Sequence, residues 1–272
     1  MQKIWIRHSG GQALLLVAIA LVVLFFLCHA SATQATELRT AYQKSYPKYH
    51  ISDSADKEQV EGLCVDIIRA IEKTAGITIR APYGFLPFKR LQTQLAKGEI
   101  DIFVGMAKNE ARLKKYIFIN TPLYKVNQII ATRSDDPAEI FTLDDIRSLA
   151  PDNIILTNFG TATERLLKKQ KELNVDSEGK NLRANLSKLI HKRGRFLSFH
   201  DIGLIAAIKR FGYEDTIKVL PYTLHSYHHY VAFAPDTPKD IILRIDHAVQ
   251  ELTHNGTLQE IKSRYVSLAF SE

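Results

Sequence analysis

Residues 97–124 read KGEIDIFVGMAKNEARLKKYIFINTPLY, an apolar run that passes straight into a charged turn. The run at 100–104 predicts a buried strand, and the turn after it carries Gly105 and Arg112. Ligands of open α/β sheets bind beyond the carboxyl ends of strands. This junction is therefore where the sequence first points to function, and the arginine gives it an affinity for anions.

The 272-residue chain opens with Lys3 and Arg7, an apolar run at 13–27, and then Ala30, Ser31 and Ala32. Basic start, apolar middle and small residues before a cut are the order of a secretory leader, so cleavage is expected after Ala32. The apolar run falls short of the ~20 residues that span a bilayer, which argues against an uncleaved anchor. A lipid anchor on Cys28 is disfavoured because Leu27 stands where a small residue is needed. The expected compartment is the periplasm. Only Cys64 survives cleavage, so the fold has to be held by its core rather than by a disulfide. Cys64 lies on the apolar spacing of Leu63, Ile67, Ile68 and Ile71, which predicts an inert, buried thiol. The formal charge of +7 includes two charges from the leader, and no basic run interleaves with aromatics. Nothing in it points to nucleic acid, whereas a mildly basic surface attracts small anions.

From Leu38 onward short apolar runs alternate with amphipathic helices, the rhythm of an α/β protein with largely parallel strands. Strands are expected at 38–42, 77–81, 100–104, 128–132, 154–157, 196–199, 217–220 and 229–234. Helices are expected at 63–74, closed by Gly76, from about 88 to Gly98, from 160–163 through 173, from Asp201, at 239–255, closed by Gly256, and at 258–265. Thr142 with Asp145 has the form of a helix cap. The Arg133 to Pro137 segment is a shift in composition that reads as the exit from one lobe into another.

Gly62, Leu63, Val65 and Asp66, then Gly98, Ile100 and Asp101, then Arg112, Phe118 and Pro122-Leu123-Tyr124, with Gly160-Thr161 and Gly256 further on, follow one another in an order and spacing that resembles the family 3 extracellular solute-binding proteins. These supply ABC importers with polar amino acids, and the likeness covers nearly the whole chain after the leader. It implies a two-lobe periplasmic binding protein-like fold of type II, with a cleft between lobes joined by two crossing strands. Lobe one would comprise 35–131 and 222–272, and lobe two 132–221. Closing of the cleft on a small molecule would be read by a membrane ABC permease. The resemblance implies a monomer with no catalytic residue, no metal and no cofactor.

An amino-acid site needs a bidentate cation for the carboxylate, free amide donors and an acid for the ammonium. By the resemblance Arg112 is the cation, its planar fork matching a carboxylate as a lysine would not; pairing with Glu110 is the competing reading. The amides of Thr161 and Ala162 open a helix, where an anion is favoured, although Thr161 with Glu164 equally fits a capping box. Asp201 stands where the family places its ammonium-binding acid, or is simply a helix cap. Tyr42, Tyr46 and Phe88 are the expected aromatic walls, and Gly105 lies at the turn. That turn departs from the family: it offers Gly105, Met106, Ala107 and Lys108 where hydroxyls are usual. An amino acid, a dicarboxylate, a modified amino acid or another small anion all remain open as ligand. His225-Ser226-Tyr227-His228-His229 lacks a second ligand run at metal spacing, so it is expected to be a crossing strand with exposed histidines. Two alternatives stand beside transport. One is a periplasmic cyclohexadienyl-type dehydratase using Glu110, Asp201 or His200 as general acid. The other is a ligand-binding partner of a membrane sensor.

Overall fold

A computed structural model describes residues 36–52 and 59–270, with the side chains of 266–270 excepted. The leader, its cut after Ala32, and Cys28 lie outside the described residues. In chain order the elements are β1 (Glu37–Arg39), β2 (Tyr42–Gln43), β3 (His50–Ile51), β4 (Val60–Glu61), α1 (Leu63–Ala75), β5 (Thr78–Arg80), β6 (Phe85–Leu86) and α2 (Phe88–Ala96). There follow β7 (Ile102–Ala107), α3 (Glu110–Leu113), β8 (Ile117–Phe118), β9 (Tyr124–Arg133), α4 (Leu143–Arg147), β10 (Ile155–Leu156) and α5 (Ala162–Lys168). The rest are β11 (Val175–Asp176), α6 (Leu182–Ile190), β12 (Phe196–His200), α7 (Asp201–Arg210), β13 (Ile217–Phe233), α8 (Lys239–His254) and α9 (Thr257–Phe270).

The fold is a two-lobe α/β architecture. Its largest sheet runs β11-β10-β12-β9-β13-β7, with β8 against β13. Parallel pairs hold where helices alternate with strands, β1 with β5, β2 with β6, and β10 with both β11 and β12. The expectation of largely parallel strands fails at the centre: β9 pairs antiparallel with β12 and β13, and β13 with β7. The reason is topological, since β9 carries the chain out of one core and β13 carries it back. One core gathers Leu38, Leu63, Ile71, Phe103, Phe233 and Ile245; two others gather residues between Ile129 and Leu220, among them Leu186, Leu204 and Phe196. Among the described residues no helix is long and apolar enough to cross a membrane.

Local chemistry explains where elements begin and end. Helix α1 buries Leu63, Cys64, Ile67, Ile68 and Ile71, and Gly76 ends it in the left-handed region at φ 62°. Strand β7 starts later than expected and runs on through Gly105. Met106 pairs with Tyr230 but Val104 with Val231, so Gly105 is the extra residue of a bulge, at φ 91°. A Cβ there would sit 2.7 Å from Cys64 Sγ. The return segment was expected as two separate strands, at 217–220 and 229–234. Instead β13 is continuous, and register shifts between Val219 and His225 absorb Pro221. Helix α5 stops at Lys168 rather than 173, because the chain turns at Glu172 (φ 64°) to lay β11 beside β10. Thr142 and Asp145 form a complete capping box on α4. Helix α7 is capped by the His200 side chain, which accepts from Gly203 N, and not by Asp201.

Beyond β9, Asp136 ties three strand ends together. Its carboxylate accepts from Arg195 Nε and Nη2 at 2.8 and 2.9 Å and from Ala138 N at 3.0 Å, and its carbonyl accepts from Lys218 Nζ at 2.6 Å. The paired Arg195 guanidinium chiefly holds this carboxyl at about 2, from 3.8. A carboxyl lowered in the folded state adds stability that is complete above its unfolded value and lost as pH falls through the folded one. Denaturant titration should therefore show Asp136→Asn costing about 2 kcal/mol at pH 7, the loss of the charge-assisted pairing with half-buried Arg195. The gap between variant and parent should close between pH ~4 and ~2.

Candidate functional site

A cleft of about 1660 Å³ opens along the crossing strands. It exceeds the roughly 300–1,000 Å³ of most ligand pockets, so its walls leave room to close on a small molecule. One wall comes from residues 43–51, the β6–α2 corner, the end of β7 and α3; the other comes from residues 157–163 and 177–183, the β12–α7 corner and the end of α7. The floor is the face of β13 that alternates His225, Tyr227 and His229.

Arg112 is placed by α3, whose cap is Asn109: its Oδ1 accepts from Arg112 N at 3.0 Å. The guanidinium donates from Nη1 to Ala107 O at 2.7 Å and lies 5.3 Å over the Phe88 ring. Among the described residues no carboxylate pairs with it, and Glu110 is turned outward and exposed. Burial, with the charge of Arg165, lowers its proton affinity. The arrangement leaves part of a fixed, half-buried fork of donors open to an incoming oxyanion.

The structure brings Arg112, Phe88, Gly105, Tyr46, Thr161 and Ala162 to the cleft lining and leaves Tyr42 and Asp201 outside it. Tyr42 packs behind the wall against Tyr49 and Phe85. Asp201 accepts from Asn127 Nδ2 at 2.8 Å and from Ile202 N at 2.8 Å. Tyr46 stands at the rim with the Arg210 guanidinium 4.6 Å from its ring. On the opposite wall Thr161 Oγ1 accepts from Glu164 N, while the Glu164 carboxylate takes the N–H of Gly160. The helix cap and the cleft wall are thus the same few residues. Lys108 does not extend into solvent; its ammonium lies 5.2 Å above the Tyr230 ring.

Two features of the site were not read from the sequence. The first is Lys48, only 7 % exposed and part of the lining. Burial lowers its proton affinity, and Arg112 lowers it further against the opposing influence of Cys64. Its segment read as a polar loop, and no periodicity marks it. The second is the floor, where the histidines were expected to be exposed. His225 stacks on Tyr227 at 5.5 Å and His229 tilts against it at 5.4 Å, and of these histidines only His228, on the other face, is exposed. His229 Nδ1 lies 2.9 Å from the Tyr124 hydroxyl, which in turn reaches Cys64 Sγ at 3.3 Å. Burial, then Asp201, pushes Tyr227 up to about 12, so its hydroxyl stays a donor. The lining is strongly cationic. Lys44, Lys48, Lys108, Arg112, Arg183 and Arg210 belong to it, while its one carboxylate among the described residues is the exposed Glu178.

Burial holds His200 and His229 neutral, well below the histidine value of 6.5, and Lys48 adds to the effect in both. The unfolded chain takes up protons at these positions below about 6.5 while the folded chain does not, so stability should decline as pH falls from there. Melting of the free protein at pH 7.5 and 5.5 is expected to differ by several degrees, and His229→Gln should flatten the slope. An unchanged slope in that variant contradicts a neutral, buried His229.

The model of the bacterial extracellular solute-binding proteins, family 3, matches residues 38–267. No curated protein matches the chain. Among solved structures, an ancestral arginine-binding protein bound to arginine is similar, with a TM-score of 0.69 at 20% identity over 84% of this chain and 97% of that one. An amino acid ABC transporter substrate-binding protein of Streptococcus pneumoniae bound to L-arginine gives 0.71 at 17% identity, covering 86% and 95%. An ancestral amino acid-binding protein, described as a precursor of cyclohexadienyl dehydratase, gives 0.69 at 18% identity, covering 84% and 95%. At such identities these likenesses speak for the fold and not for the ligand.

Proposed function

The chain belongs to the bacterial extracellular solute-binding proteins, family 3, and on that premise we propose that it captures a small amino-acid-like or carboxylate ligand in its cleft and hands it to an ABC importer. The observation that carries the reading is Arg112, a half-buried guanidinium without a carboxylate partner among the described residues, in a cleft rich in positive charge. Closure of the two walls on the ligand gives the permease a shape to recognise. The leader-like start of the sequence supports action in the periplasm, and the amino acid transporter protein among the structural neighbours supports a membrane permease as partner.

A dehydratase needs an acid free to reach its substrate. Asp201 is engaged by Asn127, His200 accepts from Gly203 N, and Glu110 is exposed outside the lining, so these positions favour binding over turnover. Thermal-shift and calorimetric titration against L-amino acids and small carboxylates tests the reading. Saturable binding without consumption of prephenate or arogenate is the expected result. Turnover of either, or a panel in which nothing binds, overturns it.

A further inference from the structure

Lys48 and Arg112 line one cavity, and both are cations without a carboxylate partner among the described residues. Lys48 is held by its backbone: its N–H donates to Ser45 O at 2.7 Å, and its carbonyl accepts from Cys64 N at 3.0 Å. The loop is thereby pinned to the first turn of α1, and the residue is left 7 % exposed. An ammonium buried without a counter-ion is costly, and a lysine can relieve that cost by neutralising or by receiving an anion. Among the described residues, the groups whose charge reaches Lys48 supply no such anion. They are the buried Cys64, whose thiol burial keeps protonated, the imidazoles of His200 and His229, and Arg112 itself. A zwitterion fares badly in the same place. Its ammonium would meet Lys48 and Arg112, while Asp201 is engaged by Asn127 and Glu178 is exposed at the rim.

We propose that the cleft takes a small molecule with two anionic groups and no ammonium, one anion on the fork of Arg112 and the other on Lys48, a dicarboxylate being the simplest case. The proposal rests on the binding function above and narrows its ligand class. It also gives the buried lysine a role that packing does not explain, since a methionine would fill the same volume without the desolvation cost.

The test is calorimetric titration of the purified protein with succinate, glutarate and adipate, with the monocarboxylates of equal chain length, and with L-arginine, L-glutamine and L-glutamate. The best dicarboxylate should bind at least tenfold more tightly than its monocarboxylate and more tightly than any of the amino acids. In Lys48→Met that advantage should vanish, the dicarboxylate binding no more tightly than its monocarboxylate, and the free variant should melt higher than the parent. Equal affinity for mono- and dicarboxylates, tighter binding of an amino acid than of every dicarboxylate, or an unchanged advantage in Lys48→Met overturns the proposal and leaves the binding function standing. No binding by any compound overturns both. Should Lys48→Met fail to fold, the comparison of the three ligand sets on the parent protein decides alone.

Discussion

Arg112→Ala is expected to weaken ligand binding by roughly a hundredfold while leaving the melting temperature of the free protein the same or slightly higher. The affinity loss follows from removing a charge-assisted, two-pronged contact, worth about 3 kcal/mol when its partner is left desolvated. The stability result follows from what Arg112 does in the free protein. Its guanidinium has Ala107 O as hydrogen-bond partner and the Phe88 ring as neighbour, and no carboxylate among the described residues offsets its burial. Losing it removes one hydrogen bond and one cation–π contact but also relieves a desolvated charge. Arg112→Lys supplies the control: it keeps the charge and loses the fork, so affinity should recover only in part. Calorimetry with the tightest ligand and thermal melting of the three proteins read both quantities. A ligand affinity untouched by Arg112→Ala would remove Arg112 from the site.

The second large effect is expected at Gly62, far from the ligand in character but tied to it through the loop. Gly62 has φ 131°, and a Cβ there would press into the Lys48 carbonyl and lie 2.6 Å from Pro47 O. Neither carbonyl can yield freely, because Pro47 O accepts from Leu63 N and Lys48 O accepts from Cys64 N, both at 3.0 Å. Gly62→Ala should therefore cost at least ~3 kcal/mol, adding backbone strain to the loss of these bonds. Gly98→Ala, at φ 69° with open space around it, should cost only about 1 kcal/mol. Denaturant midpoints separate the two. In whatever Gly62→Ala protein folds, ligand affinity should also drop, because the displaced loop carries Lys48.

Much of this was legible because periodicity and punctuation are local. The apolar spacing of α1 and the glycine behind it, the capping box at Thr142, and the long amphipathic α8 need no tertiary information. Helix α6 went unread although its signal is present: Asn181 Oδ1 accepts from Ala184 N, and Leu186 and Leu189 are buried at helical spacing. Strand β11 has only two residues and pairs solely because β10 lies beside it, so nothing local announces it. The antiparallel centre follows from the chain crossing out on β9 and back on β13, a property of the whole path.

The site divides in the same way. Arg112 was identified by its place in an ordered set of residues, and it lines the cleft. Asp201, assigned on the same grounds, is held away from the lining by Asn127, a partner 74 positions earlier in the chain. Lys48 gave no signal because its burial comes from α1 amides closing over a loop that is polar in composition. The histidines of β13 looked exposed because a strand with polar residues on both faces normally is. Here one face is the floor of a cleft.

The central claim is that the Arg112 guanidinium anchors an anion in this cleft. A crystal structure of the protein with the tightest ligand from the titration panel tests it most directly. An oxyanion of the ligand within hydrogen-bond distance of the Arg112 guanidinium, with the walls at residues 43–51 and 157–163 drawn together around it, is the predicted result. Ligand bound elsewhere, with Arg112 still joined only to Ala107 and Phe88, would contradict it.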